Sequence, residues 1–228
     1  NGKILMKPFT VGQESVLLQV KDSENDDEVL GAIQQIIKEC VVEPTDFDVS
    51  SIPVFTVEYI FIKIRERSNG EIIDLSYKCN IESTERHPGA VVKKCGGKID
   101  FKVDLRDVQI IYKEGSKDIF YITEEIGIQM KYPTLSTASK VKSDEDVIQL
   151  IAQHTKSIFQ GDQVWNIEDY TMTEIETFVK SIPSNVKNDI MTEFFNKIPT
   201  VKYTTKQKCP ECGFAHDIVL EGMSDFFA

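Results

Sequence analysis

Cysteine spacing constrains this chain more than any other feature. The stretch Lys208-Cys209-Pro210-Glu211-Cys212-Gly213-Phe214 is a Cys-x-x-Cys turn with proline inside it and glycine just after it. Such a turn places two thiolates on one side of a tight loop, which suits a tetrahedral metal ion. Two ligands do not close a structural zinc site. The other candidates, Cys79 and Cys95, lie more than a hundred residues upstream. A chain that joins all four must fold its far end back onto its middle, and the architecture follows from that closure.

The sequence holds five cysteines. The fifth, Cys40, recurs at helical spacing with Ile33, Ile36 and Ile37 and reads as an inert core thiol. Cys79 and Cys95 are separated by 15 residues, which is long for a metal knuckle. Both nevertheless flank strand-like segments, and Gly96-Gly97 lets the backbone turn around a ligand. The polar loop Asn80 to Gly89 then reads as an insertion. His87 and His216 are alternative ligands, although His216 sits in an alternating strand and reads as a surface residue. A zinc ion held by Cys79, Cys95, Cys209 and Cys212 has four protein ligands and no open position, so its role is structural, not hydrolytic. A thioredoxin-like role for Cys209 requires the motif at a helix N-terminus in a βαβ unit, whereas the pattern here is strand, turn, strand.

Charge and motif content narrow the function. The net charge of -11 argues against a generic phosphate-binding surface, which needs clustered Lys and Arg. No segment approaches the roughly 20 apolar residues of a membrane-spanning helix. With no secretory signal visible, a reducing environment is expected. Phosphate-loop, Gly-x-Ser-x-Gly and His-Glu-x-x-His motifs are absent, and three scattered histidines, His87, His154 and His216, offer little acid–base chemistry. The expectation is a non-enzymatic protein without a small-molecule substrate. A zinc-ribbon nucleic-acid-binding or transcription-associated protein is the alternative, supported by a small basic edge at Lys202, Lys206 and Lys208. A thiol oxidoreductase is a third class.

Periodicity predicts an α+β fold: helical N-terminal and central stretches around a discontinuous antiparallel β module with a zinc-ribbon-like four-cysteine site. Helices are predicted from Thr10 to Val20, from Glu28 to Val42 and from Val54 to Arg67, the last with Thr56 as N-cap and Asn69-Gly70 as its stop. Strands are predicted at 71–79, 90–95, 98–105, 108–112, 119–122 and 127–132. Helical pattern returns after Pro133. Ser143 to Asp146 forms a cap, followed by a face of Val147, Leu150, Ile151 and His154. Gly161-Asp162 reads as a turn and 165–170 as irregular; Thr173 then begins a short helix to Ser181, and Ser184 caps the next. Strands at 201–208 and 214–220 flank the Cys-x-x-Cys turn. Four parts are expected: helical 1–70, β-rich 71–132 with the first cysteine pair, helical 133–199, and a C-terminal hairpin, 200–228, packing on 71–132.

Beyond these patterns, Leu5 to Val20 (LMKPFTVGQESVLLQV) resembles the N-terminus of the T4-type phage baseplate hub proteins, a family that includes a small hub subunit and a hub assembly factor. Glu58 to Phe61, Arg65, Arg67-Ser68, Met130 to Pro133, the paired cysteines and the ending Phe226 to Ala228 resemble it as well. The resemblance implies a late-made, chaperone-like assembly factor or a subunit of a contractile-tail baseplate hub, with other hub proteins as partners. It places the protein in the cytoplasm of the infected bacterium during assembly and, for a permanent subunit, in the virion tail. It transfers no catalytic residue. The apolar segment Ile4 to Phe9 and the aromatic pair Phe226-Phe227 are the expected contact elements.

Overall fold

The structure, a computed structural model of the chain, describes residues 3–20, 26–82, 94–138 and 147–226. In chain order these form β1 (Leu5–Met6), α1 (Val11–Val20), α2 (Asp26–Cys40), β2 (Val41–Glu43), α3 (Val54–Asn69), β3 (Ile72–Lys78), β4 (Lys98–Asp104) and β5 (Gln109–Ile111). Then come β6 (Ile119–Tyr121), β7 (Ile126–Met130), α4 (Leu135–Ala138), α5 (Val147–Gln153), β8 (Thr155–Gln160) and β9 (Gln163–Asn166). The chain continues with α6 (Met172–Ser181), α7 (Ser184–Glu193), β10 (Thr200–Lys208) and β11 (Ala215–Glu221). Every strand pair is antiparallel, in sheets ordered β1-β2, β11-β10-β5, β3-β4 and β6-β7-β8-β9. The fold is α+β, as the periodicity predicts.

The helix α3 is the shared wall. Its β-branched and aromatic residues suit a strand equally well, but it is apolar on more than one side. Val57, Ile60, Phe61 and Ile64 pack with Ile33, Ile36, Ile37 and Cys40 of α2. Ile62 points away from them, into a second core made by Ile73 and Leu75 of β3, Phe101 and Val103 of β4, Val201, Ile218 and Leu220. Burial of one such side chain stabilises by about 1.5–3 kcal/mol, which outweighs helix propensity differences of a few tenths per residue. Pro53, not Thr56, stands at the N-cap, and its carbonyl accepts from the N–H groups of Thr56 and Val57. The stop is as expected: Gly70 holds φ at 96°.

A third core joins Phe120, Ile128 and Met130 to Ile151, Ile175, Val179, Val186, Ile190 and Phe194. The 133–199 stretch, read from sequence as helical, carries the β8–β9 hairpin, which extends the β6–β7 sheet. The inward positions at the start of β8 are Thr155 and Ser157, so no apolar alternation marks that strand. The helix α6 begins at Met172, one residue before the expected Thr173, and its N-cap is Thr171: the Thr171 hydroxyl accepts from the Glu174 N–H, and the Glu174 carboxylate accepts from the Thr171 N–H. This capping box contributes about 1 kcal/mol. Pro183, not Ser184, caps α7, without a side-chain bond.

In each segment expected as a partner contact, one phenylalanine docks on the chain itself, while Leu5 in the first is 54% exposed. Phe9 is buried in the first core and its N–H donates to Ser68 Oγ. Phe226 is 1% exposed, within the second core. Arg65 Nη1 donates to the Phe226 carbonyl at 3.0 Å, and the Met223 N–H donates to Glu58 Oε1 at 3.3 Å. Cys40 is fully buried, and burial pushes its thiol pKa up, as befits an inert thiol. The strand expected over 90–93, the cap at 143–146, His87 and Phe227 lie outside the described residues.

Candidate metal centre

Two hairpins carry their turns to one place. β10 and β11 pair in continuous register from Lys202↔Glu221 to Lys208↔Ala215, which leaves Cys209 to Phe214 as the connecting turn. β3 and β4 pair from Ile72↔Asp104 to Lys78↔Lys98, which leaves Cys79 at the end of one strand and Cys95 just before the other. Inward-facing Ile73, Leu75, Ile218 and Leu220 share the second core, so packing of the two hairpins brings their turns together.

The two turns have the same backbone. In the second, the Cys209 N–H donates to the Phe214 carbonyl at 2.8 Å and the Gly213 N–H donates to the Cys209 carbonyl at 3.0 Å. In the first, the Cys79 N–H donates to the Gly97 carbonyl at 2.9 Å and the Gly96 N–H donates to the Cys79 carbonyl at 3.0 Å. Gly213 and Gly96 hold φ values of 74° and 68°, a left-handed conformation in which a side chain is strained. Each is preceded by the second cysteine of its pair, and each first cysteine follows a lysine, Lys78 or Lys208. The 15-residue segment leaves the first turn after Cys79 and re-enters before Cys95, closed at its base by the Cys95 N–H to Ile81 carbonyl bond of 2.8 Å and a Glu82–Lys94 bridge. The doubt that this length raised about the first knuckle is thereby resolved: the insertion does not alter the turn.

All four sulfurs lie within 4.8 Å of one another. The Cys79–Cys212 sulfurs are 3.7 Å apart and the Cys95–Cys209 sulfurs 3.8 Å apart. A tetrahedral ion with metal–sulfur bonds of about 2.3 Å has sulfur–sulfur edges of about 3.8 Å. A disulfide needs sulfurs about 2.05 Å apart. The arrangement therefore fits a four-coordinate cation and not two disulfides. Gly97 permits it: a Cβ there would stand 2.9 Å from Cys209 Sγ and 3.2 Å from the Glu211 side chain.

The electrostatics are those of a thiolate cage. Burial, reinforced by the neighbouring thiols, pushes the Cys79 thiol up to about 12, against the Ile81 N–H that stabilises its anion. N–H groups of Cys212 and Glu211 bring Cys209 down to about 7 despite its burial. Ile81 and Glu211 stand two residues after their cysteines, so this N–H to sulfur contact is also common to both turns. At Cys95 the Gly97 N–H lowers the pKa, but burial and the Cys212 and Cys209 thiols outweigh it. A dication at the centre would offset the penalty on the Cys79 and Cys95 anions. Cys79 and Cys209 are 1% exposed, Cys95 is half-buried and Cys212 exposed, so the cage has one open flank.

His216 is not the surface residue expected. It is buried on the same face of β11 as Ile218 and Leu220, a placement that the alternation already implies. Its Nε2 lies 3.2 Å from Cys79 Sγ, and its ring packs on Tyr77 and Phe214 with centroids 5.3 and 4.9 Å away. With its proton on Nε2 it donates to that sulfur, as groups around metal thiolates do. It stands outside the four-sulfur cluster as a supporting group.

No helix among the described residues is long and apolar enough to cross a membrane. No solved structure matches the chain. The chain is 24% identical over 224 residues to the baseplate hub assembly protein gp26 of Enterobacteria phage T4, covering 97% of this chain and 90% of that one. The family described as T4 bacteriophage base plate protein matches residues 1–228, the full length given, and the chain belongs to that family.

Proposed function

We propose that this protein is a non-enzymatic baseplate hub component or hub assembly factor that works by contact with other hub proteins, and that a structural zinc ion held by Cys79, Cys95, Cys209 and Cys212 keeps its β module in shape. The observation that carries the zinc reading is the cluster of four sulfurs within 4.8 Å of one another, two of whose separations, 3.7 and 3.8 Å, match the size of a zinc–thiolate site. Its four protein ligands leave no position for a reacting water, so the ion's work is mechanical. The hub reading rests on family membership and on the near full-length similarity to a hub assembly protein.

Two measurements test this reading. Elemental analysis of protein purified without added metal should find about one zinc per chain; a value near zero after reconstitution at neutral pH removes the ion. Affinity should rise with pH, because thiols must lose protons to bind, and Cys79 loses its proton only against the push of burial. For the function, the protein is used as bait against the hub proteins of its own phage. Capture of a hub protein that is lost on chelation supports the reading, and a chain that binds none of them refutes it.

A further inference from the structure

On the side of the third core, the loop from β5 to β6 meets the end of β7 and the start of β8 around a cleft of ≈ 540 Å³. Lys113, Lys117, Lys131 and Lys156 all line it, together with Tyr112 and Tyr132. This concentration runs against the rest of a chain with 26 basic and 37 acidic residues. Among the described residues, none of the four lysines is in an ion pair with a carboxylate. Lys113 Nζ donates to the Asn196 carbonyl at 3.1 Å, and Asp118, the acidic group of the lining, takes a 3.2 Å bond from Gln129 Nε2. Ser116, also in the lining, has a buried hydroxyl without a hydrogen-bond partner among the described residues. Tyr112 is 65% exposed at the rim, while Tyr132 is fixed by stacking on Phe194.

We infer that this cleft is the docking site for a short carboxylate-rich segment of a partner protein. Four like charges held around one concavity, with Asp118 as the acidic group of its lining, cost self-repulsion that an anionic ligand relieves. The chain around the cleft carries a net charge of -11. A long polyanion such as duplex nucleic acid would extend past it onto a surface that is negative overall, whereas a few carboxylates fit within it. The tyrosines offer apolar faces with polar tips, which suit the stems of Glu and Asp side chains. The choice of a protein as occupant rests on the proposed hub role, but the cleft's affinity for carboxylates is tested without it.

The probe is a fluorescein-labelled hexaglutamate peptide titrated with the full-length, zinc-loaded protein, read by fluorescence anisotropy at about 20 mM and about 200 mM salt. Saturable binding that weakens at the higher salt is expected. The K117E/K131E/K156E variant should bind roughly tenfold more weakly or worse, with an unchanged circular-dichroism spectrum and melting point. Should that variant fail to fold, K131Q/K156Q is used in its place. The control K98E/K102E alters exposed lysines on β4 and should bind as the parent does. Absence of saturable binding, equal binding by the cleft variants, or tighter binding of a hexathymidylate oligonucleotide than of the peptide would overturn the inference. Failure here leaves the hub reading standing, and failure of the hub pull-down leaves the cleft chemistry standing.

Discussion

The two turns that face each other across the sulfur cluster share hydrogen bonds, glycine position and preceding lysine, yet one spans two residues between its cysteines and the other 15. What a knuckle needs is therefore local to its two ends. A strand must deliver the first cysteine, and a left-handed glycine must follow the second. The carbonyl of the next residue must then accept from the first cysteine's N–H. The length between the cysteines enters only as loop-closure entropy, which grows slowly with length. The hairpins set the approach, and the sulfurs meet because the strands behind them share a core.

If the turns are equivalent, removing a sulfur from either should do the same damage. Cys79→Ser and Cys209→Ser should each abolish stoichiometric zinc binding and destabilise the β3–β4 and β10–β11 module by several kcal/mol. Hydrogen exchange of the β3, β4, β10 and β11 amides reads this directly. Fast exchange in one variant and protection in the other would break the equivalence. A smaller effect sharpens the role of the insertion. Replacing residues 80–94 by Pro-Glu, the tight turn's own linker, should retain one zinc per chain. The shorter closure should raise stability by up to about 2 kcal/mol, seen in chemical denaturation; loss of zinc would mean that the insertion builds the knuckle. Smallest and most symmetric are the glycines: Gly96→Ala and Gly213→Ala should each cost about 1–2 kcal/mol, through the same left-handed strain. A large inequality in melting points would show that the turns differ in ways their hydrogen bonds do not reveal.

The convergence of Cys79, Cys95, Cys209 and Cys212 could be read from the sequence because thiols are few and a metal site uses them in fours. The closure of the first turn was legible too: Lys78-Cys79 and Cys95-Gly96 repeat Lys208-Cys209 and Cys212-Gly213 as two half-motifs separated by an insertion. His216 was misjudged because histidine's polarity was weighed above its register with Ile218 and Leu220. The β8 strand escaped notice because Thr155 and Ser157 fill the positions where an apolar alternation would show. The helix α3 was identified despite its strand-like residues because its spacing and its glycine stop agree. Neither the docking of the chain's two ends nor the lysine cleft can be read from local pattern, since both depend on residues brought together across the fold.

The separation of the two turns along the chain also sets a timetable. Cys95 and Cys209 are 114 positions apart. At synthesis rates of roughly 5–20 residues per second, the first two thiols wait roughly 6–23 s for the second pair. During that interval they form a half-site of two ligands, with little hold on an ion and open to oxidants. On the proposed zinc reading, ion capture is then a late event in the making of each molecule, since the cluster is complete only once the second pair has been made.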